Sequence, residues 1–364
     1  MPRSTEPALA ELLAAIELEL PRAVELRRRL HAAPELAHAE RKTAATVAAE
    51  LPVTCATVAE TGLAALVGEG AAAPIALRAE LDGLPVEERT GASFSARGGV
   101  MHACGHDVHM AALVAVARAA HALGGALPAP LLAVFQPSEE AYPSGAEQLT
   151  RGELDRFAVG GIVAAHVHPE LPWGSVALDA GIVNASCDAI EIVIEGEPSH
   201  GAYPHRGRDP ILALAEVIVA LHAQVAQRIG PLHPAVLTVG QIEAGSADNV
   251  IPASARARGA LRAHRREDRA ILRELVVQVV AGIASASGCR GHVALTSGEP
   301  ALENDPGIVA RARAMLAPAG LEAAPEWRSC GSDDFAFLGA LAPLAMAFVG
   351  LDGAPAFARR PLHH

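Results

Sequence analysis

The nine residues Met101–His109, MHACGHDVH, hold three imidazoles, one thiol and one carboxylate. An apolar run of helical character, Met110–Leu123, follows at once, so these groups sit at or just before a helix N-terminus, where a thiol is more easily ionised. Cys104 and His106 are the favoured ligand pair: spaced i, i+2 on a non-helical turn, they can reach one metal or a close pair of metals. Asp107 and the remaining histidines then support them. The competing reading is a His-rich helix cap making ordinary hydrogen bonds, and this stretch alone leaves both open.

Two further stretches bear on the choice. Glu139-Glu140 follows the apolar run Leu131–Phe135. Adjacent carboxylates repel unless cations hold them, and neighbours on a turning backbone point in different directions, so one can bind metal while the other faces substrate. Gln136-Pro137 before the pair and Tyr142-Pro143-Ser144-Gly145 after it favour a rigid loop over a solvated strand end. His166 closes the apolar run Ile162–Val167 and completes a set of Cys, His, Glu and His. Mixed N, S and O donors suit zinc, and carboxylates with imidazoles also suit manganese. Such a set can activate water against a carbonyl, with a glutamate carrying the proton to the leaving amine. The chemistry is that of a hydrolase.

The elements that must position these groups are legible in outline. Glu6–Glu50 reads as two helices broken near Pro34, and the intervening His31, Glu35 and Glu40 read as surface and capping residues. Ala64–Gly68, Ile75–Arg78, Leu131–Phe135 and Ile162–Val167 read as strands alternating with helical segments, which predicts an α/β sandwich with a largely parallel sheet. Acidic and imidazole residues follow these strands, and in open α/β sheets ligands bind outside the carboxyl ends of strands. From about Val183 the order becomes β-α-β-β-α-β, that of a ferredoxin-like unit. The expected organisation is a catalytic domain in two parts, 1–182 and 297–364, around an inserted domain, 183–296.

Composition narrows the partners. The formal charge of −12 argues against nucleic acid or a lipid surface and for small-molecule chemistry. Five scattered cysteines with no CxxC pair predict no disulfide framework and fit a reducing cytoplasm. No signal peptide is expected, and Met110–Leu123, carrying Arg118 and His121, reads as too short to cross a bilayer.

Taken together, the segments LHAAPELAHAE, ALRAELDGLPVEERTG, MHACGHDVHMAAL, FQPSEEAYPSGAEQL, AAHVHPELPWG, SHGAYPHRGRDPI, DNVIP, GSDDFAF and the terminal LHH resemble the M20 metallopeptidase family over nearly the whole chain. The resemblance is to its amidohydrolase branch, which acts on N-acyl-amino acids. It implies a zinc-peptidase-like α/β domain with an inserted ferredoxin-like lid and dimerisation domain. It also implies two divalent metal ions, Mn or Zn, on Cys104, His106, Glu140, His166 and His363, with Cys104 bridging. Glu139 is then the general acid/base, Asp82 orients a metal-binding histidine, and His200 and Asn249 contact the substrate. A cytoplasmic enzyme hydrolysing a small N-acyl-amino acid, with the inserted domain available for assembly as a homodimer, is the resulting expectation. A dipeptidase or aminopeptidase on the same scaffold, and a non-catalytic relative binding metal and acyl-amino acid, are the alternatives. Glu80 and Asp333 stand where relatives commonly carry Asp and Glu, and those exchanges are expected to alter substrate fit.

Overall fold

The computed structural model describes residues 5–354, and the chain divides into two compact units. Among the described residues the first comprises 5–181, Glu303–Trp327 and 334–354. It opens with helices α1 (Thr5–Ala32) and α2 (Arg41–Glu50), followed by strands β1 (Ala56–Val58), β2 (Gly62–Val67) and β3 (Ile75–Glu80). Helix α3 (His106–Leu123) then leads to β4 (Leu131–Gln136) and β5 (Gly161–Pro172).

These strands belong to an eight-stranded sheet in the order β1-β2-β4-β3-β5, then Leu344–Asp352, Ser175–Ala177 and Glu322–Ala323. Its centre is parallel: β4 with β3, β3 with β5, and β5 with Leu344–Asp352. The pairs β1–β2, β2–β4 and Leu344–Asp352 with Ser175–Ala177 are antiparallel, and the edge strand Glu322–Ala323 is parallel to Ser175–Ala177, so the sheet is mixed. Every residue of β4 is buried, as expected for a central strand covered on both faces. Leu26 and Leu30 of α1 and Met110, Leu113, Val114 and Ala117 of α3 share one core with Leu63, Ala65, Leu131 and Phe135 of the sheet.

Helix α3 is set up locally. Gly105 takes the N-cap position at φ 90°, and Asp107 stands in the first turn, its charge matched to that end of the helix dipole. With the expected break at Pro34, His31 and Glu40 are buried rather than exposed. His31 lies between Asp107 Oδ2 at 2.9 Å and Glu88 Oε1 at 3.1 Å. Glu40 accepts from the Ser138 amide at 2.8 Å and the Thr61 hydroxyl at 2.8 Å. Only Glu35 caps as expected, taking the Thr43 amide at 2.7 Å in the first turn of α2.

The second unit, Ile182–Leu302 with Arg328–Asp333, contains the expected segment 183–296. Strands Ser186–Glu195, Ala235–Ala244, Ser254–Ala263 and Arg290–Ser297 form an antiparallel sheet. In spatial order the first strand lies between the fourth and third, with the second at the edge. Helices Pro210–Arg228 and Arg266–Ala286 pack on it through Leu214, Val217, Leu221, Leu272, Val276 and Val280. This is the ferredoxin-like arrangement. Asp209 caps the first of these helices through the Ile211 and Leu212 amides, with Pro210 at its first position.

By length and composition alone, His106–Ala126 and Pro210–Arg228 are long and apolar enough to cross a membrane, contrary to the expectation from sequence for the first of them. Both contribute residues to the cores just described, which accounts for their apolar character.

Candidate metal centre

The strand ends and the α3 N-terminus bring Asp82, Cys104, His106, Glu139, Glu140 and His166 together within the first unit. Gly105 lets α3 approach β5 closely: a Cβ there would lie 2.6 Å from Val167 Cγ2. Across that contact Cys104 Sγ and His166 Nε2 are 3.3 Å apart. Cys104, His106 and Glu140 offer donor atoms within 4.8 Å of one another.

Hydrogen bonds fix which nitrogen of each ring faces inward. His106 Nδ1 donates to the Asp82 carbonyl at 2.8 Å, and His166 Nδ1 donates to the Val167 carbonyl at 2.7 Å. Each therefore presents Nε2 to the cluster as an acceptor. His106 Nε2 is buried and makes no hydrogen bond, with Glu139 Oε2 at 3.9 Å and Glu140 Oε1 at 4.0 Å. Those gaps are too wide for hydrogen bonds, whereas a shared cation with bonds of about 2.0–2.2 Å spans them. The donor set thus fits a divalent metal.

Asp82 organises two of these groups by different atoms. Its carbonyl holds His106, while its carboxylate accepts the Glu140 amide at 2.9 Å and stands 3.7 Å from His106 Nδ1. Burial works against its ionisation, but the nearby His106 and the amides of Glu140 and Glu139 hold it below the usual carboxylate range. Burial likewise opposes a charge on His106, yet Glu80 and Asp82 push its pKa well above the ordinary value. A metal-free site therefore attracts a proton where a metal ion would sit, and binding one releases it.

The Cys104 thiol differs from expectation. Burial, aided by the charges of Glu139 and Glu140, outweighs the helix terminus and His106 and pushes it up to about 12. Without a cation the thiol keeps its proton. One departure from the usual sequence pattern, Glu80, and the residue after the other, Asp334, belong to a buried network. Glu80 is buried and pairs with Arg78 and with His109 Nδ1, the latter at 2.8 Å. Asp333 is followed by the buried Asp334, which accepts from Arg78 at 2.7 Å, Gln136 at 2.7 Å and Ser144 at 2.7 Å. A buried frame thus runs beneath the site, and only the burial of its members, invisible in sequence, reveals it.

His200 and Asn249 are neighbours in the second unit, where Ser199–His200 pairs with Val250–Ile251 and the Gly201 amide donates to the Asn249 carbonyl at 2.7 Å. His363 lies outside the described residues.

Comparison with known proteins gives this geometry its family. The profile of the Peptidase family M20/M25/M40 matches residues 76–361. The chain belongs to the M20 peptidase family. It is 35% identical over 347 residues to an N-acetyl-L-cysteine deacetylase of Bacillus subtilis, covering 94% of this chain and 82% of that one. It is 32% identical over 350 residues to an N-acetyldiaminopimelate deacetylase of the same organism, covering 94% and 91%. Among solved structures, a dinuclear metal binding M20 peptidase of B. subtilis superposes with a TM-score of 0.81 at 28% identity, over 94% of this chain and 91% of that one.

Proposed function

We propose that this M20 protein is a metal-dependent amidohydrolase that cleaves N-acyl-amino acids into a carboxylate and a free amino acid. The observation that carries the reading is the pairing of a buried, hydrogen-bond-free His106 Nε2 with Glu139 and Glu140 beside the Cys104–His166 contact. Deacetylase relatives that match nearly the whole chain support the substrate class.

Cys104, His106, Glu140 and His166 would hold two divalent ions, Mn or Zn, with His363 as a further ligand. When bound, the metal pair supplies Lewis-acid polarisation of the acyl carbonyl and an acidified water. Glu139 takes the water's proton and passes it to the departing amine, a contribution typically worth 10²–10⁴-fold. Asp82 keeps His106 and Glu140 aimed inward through the two hydrogen bonds described above. His200, paired with Val250 on a short ladder, and Asn249, the residue before Val250, are assigned to the substrate. A cytoplasmic location is supported by five free cysteines. Homodimerisation through the inserted domain is supported by the edge strand Ala235–Ala244 and the exposed Leu212, Val219 and Ile242.

The test is amine release from acetyl, benzoyl, long-chain and indoleacetyl amino acids by metal-free and metal-loaded protein. Metal-dependent release from at least one of them is expected. Folded, metal-loaded protein that releases none would overturn the reading.

A further inference from the structure

His109 has both ring nitrogens committed. Nδ1 donates to Glu80 Oε2 at 2.8 Å, and Nε2 accepts the Val167 amide at 3.1 Å. This requires the neutral ring protonated on Nδ1. His109 therefore offers no lone pair to a metal, although it lies within 4.8 Å of donor atoms of His106 and His166. What it does hold is the peptide unit that also governs His166. Val167 gives its amide to His109 and its carbonyl to His166 Nδ1, and its side chain meets Gly105 at the start of α3. The His109 and His166 ring centroids are 4.7 Å apart at 65°.

We infer that His109 is a positioning residue, which clamps the Val167 peptide to α3 and so sets the His166 ring opposite Cys104. The inference rests on the reading of Cys104 and His166 as metal ligands. Glu80 fixes the tautomer of His109, and Arg78 in turn holds Glu80. The chain of contacts runs from the buried frame to His166 Nε2 with no rotatable side chain left unpinned. Outer contacts of this kind typically change metal affinity by about 10–100-fold.

Two substitutions separate the halves of the device. His109→Gln can place its amide oxygen near the Nε2 position and keep an acceptor for Val167. His109→Asn keeps a donor for Glu80 and leaves the Val167 amide without its acceptor. Folded wild type and both variants are titrated with Co²⁺ alone against a competing chelator, and their thiolate–cobalt absorption is recorded. Wild type and His109→Gln are expected to bind alike, and His109→Asn about 10–100-fold more weakly with an altered absorption band. Equal binding and spectra in both variants, whether both unchanged or both impaired, would overturn the inference. Nitrogen-15 NMR of histidine-labelled wild type supplies a check independent of variant folding: His109 protonated on Nε2 would also overturn it. Wild type that binds no cobalt would instead sink the metal-centre reading itself, and the inference with it.

Discussion

Gly105→Ala is a small substitution that the site should tolerate poorly. Gly105 sits at φ 90°, and an added Cβ would meet Val167 Cγ2 at 2.6 Å. Holding an L-residue in such a backbone conformation costs about 1–3 kcal/mol. Val167 is β-branched with few rotamers to retreat into, so the overpacked contact adds about 1–3 kcal/mol. Loss of glycine's freedom in the unfolded chain returns about 0.4–1 kcal/mol. The net expectation is a destabilisation of about 2–5 kcal/mol. Urea unfolding of the metal-free protein, read by a probe in the first unit, measures it. Adding Val167→Ala should relieve the contact share and leave the backbone share. A Gly105→Ala protein as stable as wild type would refute the argument, as would a double variant no better than the sum of its singles.

Three other outcomes follow from the same geometry. In metal-free folded protein, raising the Cys104 thiol from 9.0 to about 12 cuts its thiolate about a thousand-fold, so iodoacetamide should label it that much more slowly than an ordinary thiol; rapid labelling seen by peptide mass spectrometry would contradict this. Burial opposes a charge on His31, but Asp107 and Glu88 raise its pKa overall, so its contribution is full below about pH 6.5 and fades as pH rises through the folded value. His31→Gln should therefore cost more stability near about pH 6 than near about pH 9, and equal losses in the two denaturant titrations would count against the pairing. Asp334→Asn weakens the partner of the buried Arg78, and a loss of up to about 3–5 kcal/mol in unfolding free energy is expected; an unchanged midpoint would show that the pair carries no weight.

The sequence exposes what is local and hides what depends on distant partners. The α3 start is readable because Gly105, the ionisable cluster and the apolar run are contiguous, and the two helices before β1 are readable from their periodicity and Pro34. His31 and Glu40 read as surface residues because their partners are remote in sequence: Asp107 lies 76 positions from His31, and Ser138 lies 98 from Glu40. Burial is also what reverses the expected ionisation of Cys104, since spacing shows the nearby helix end but not the loss of solvent. Glu80 and His109 have a faint signal. Glu80 ends strand β3 two residues before Asp82, and His109 follows His106 by three on one helix face. Neither spacing says that the Val167 peptide lies between them and His166.

The most direct test of the account compares wild type with Glu139→Gln, measuring bound metal and amine release on the same samples. Retained metal with release reduced by about 10²–10⁴-fold is the expected result, because Glu139 is assigned to proton transfer while Cys104, His106, Glu140 and His166 hold the ions. Undiminished release by the metal-loaded variant would contradict that assignment and the mechanism built on it.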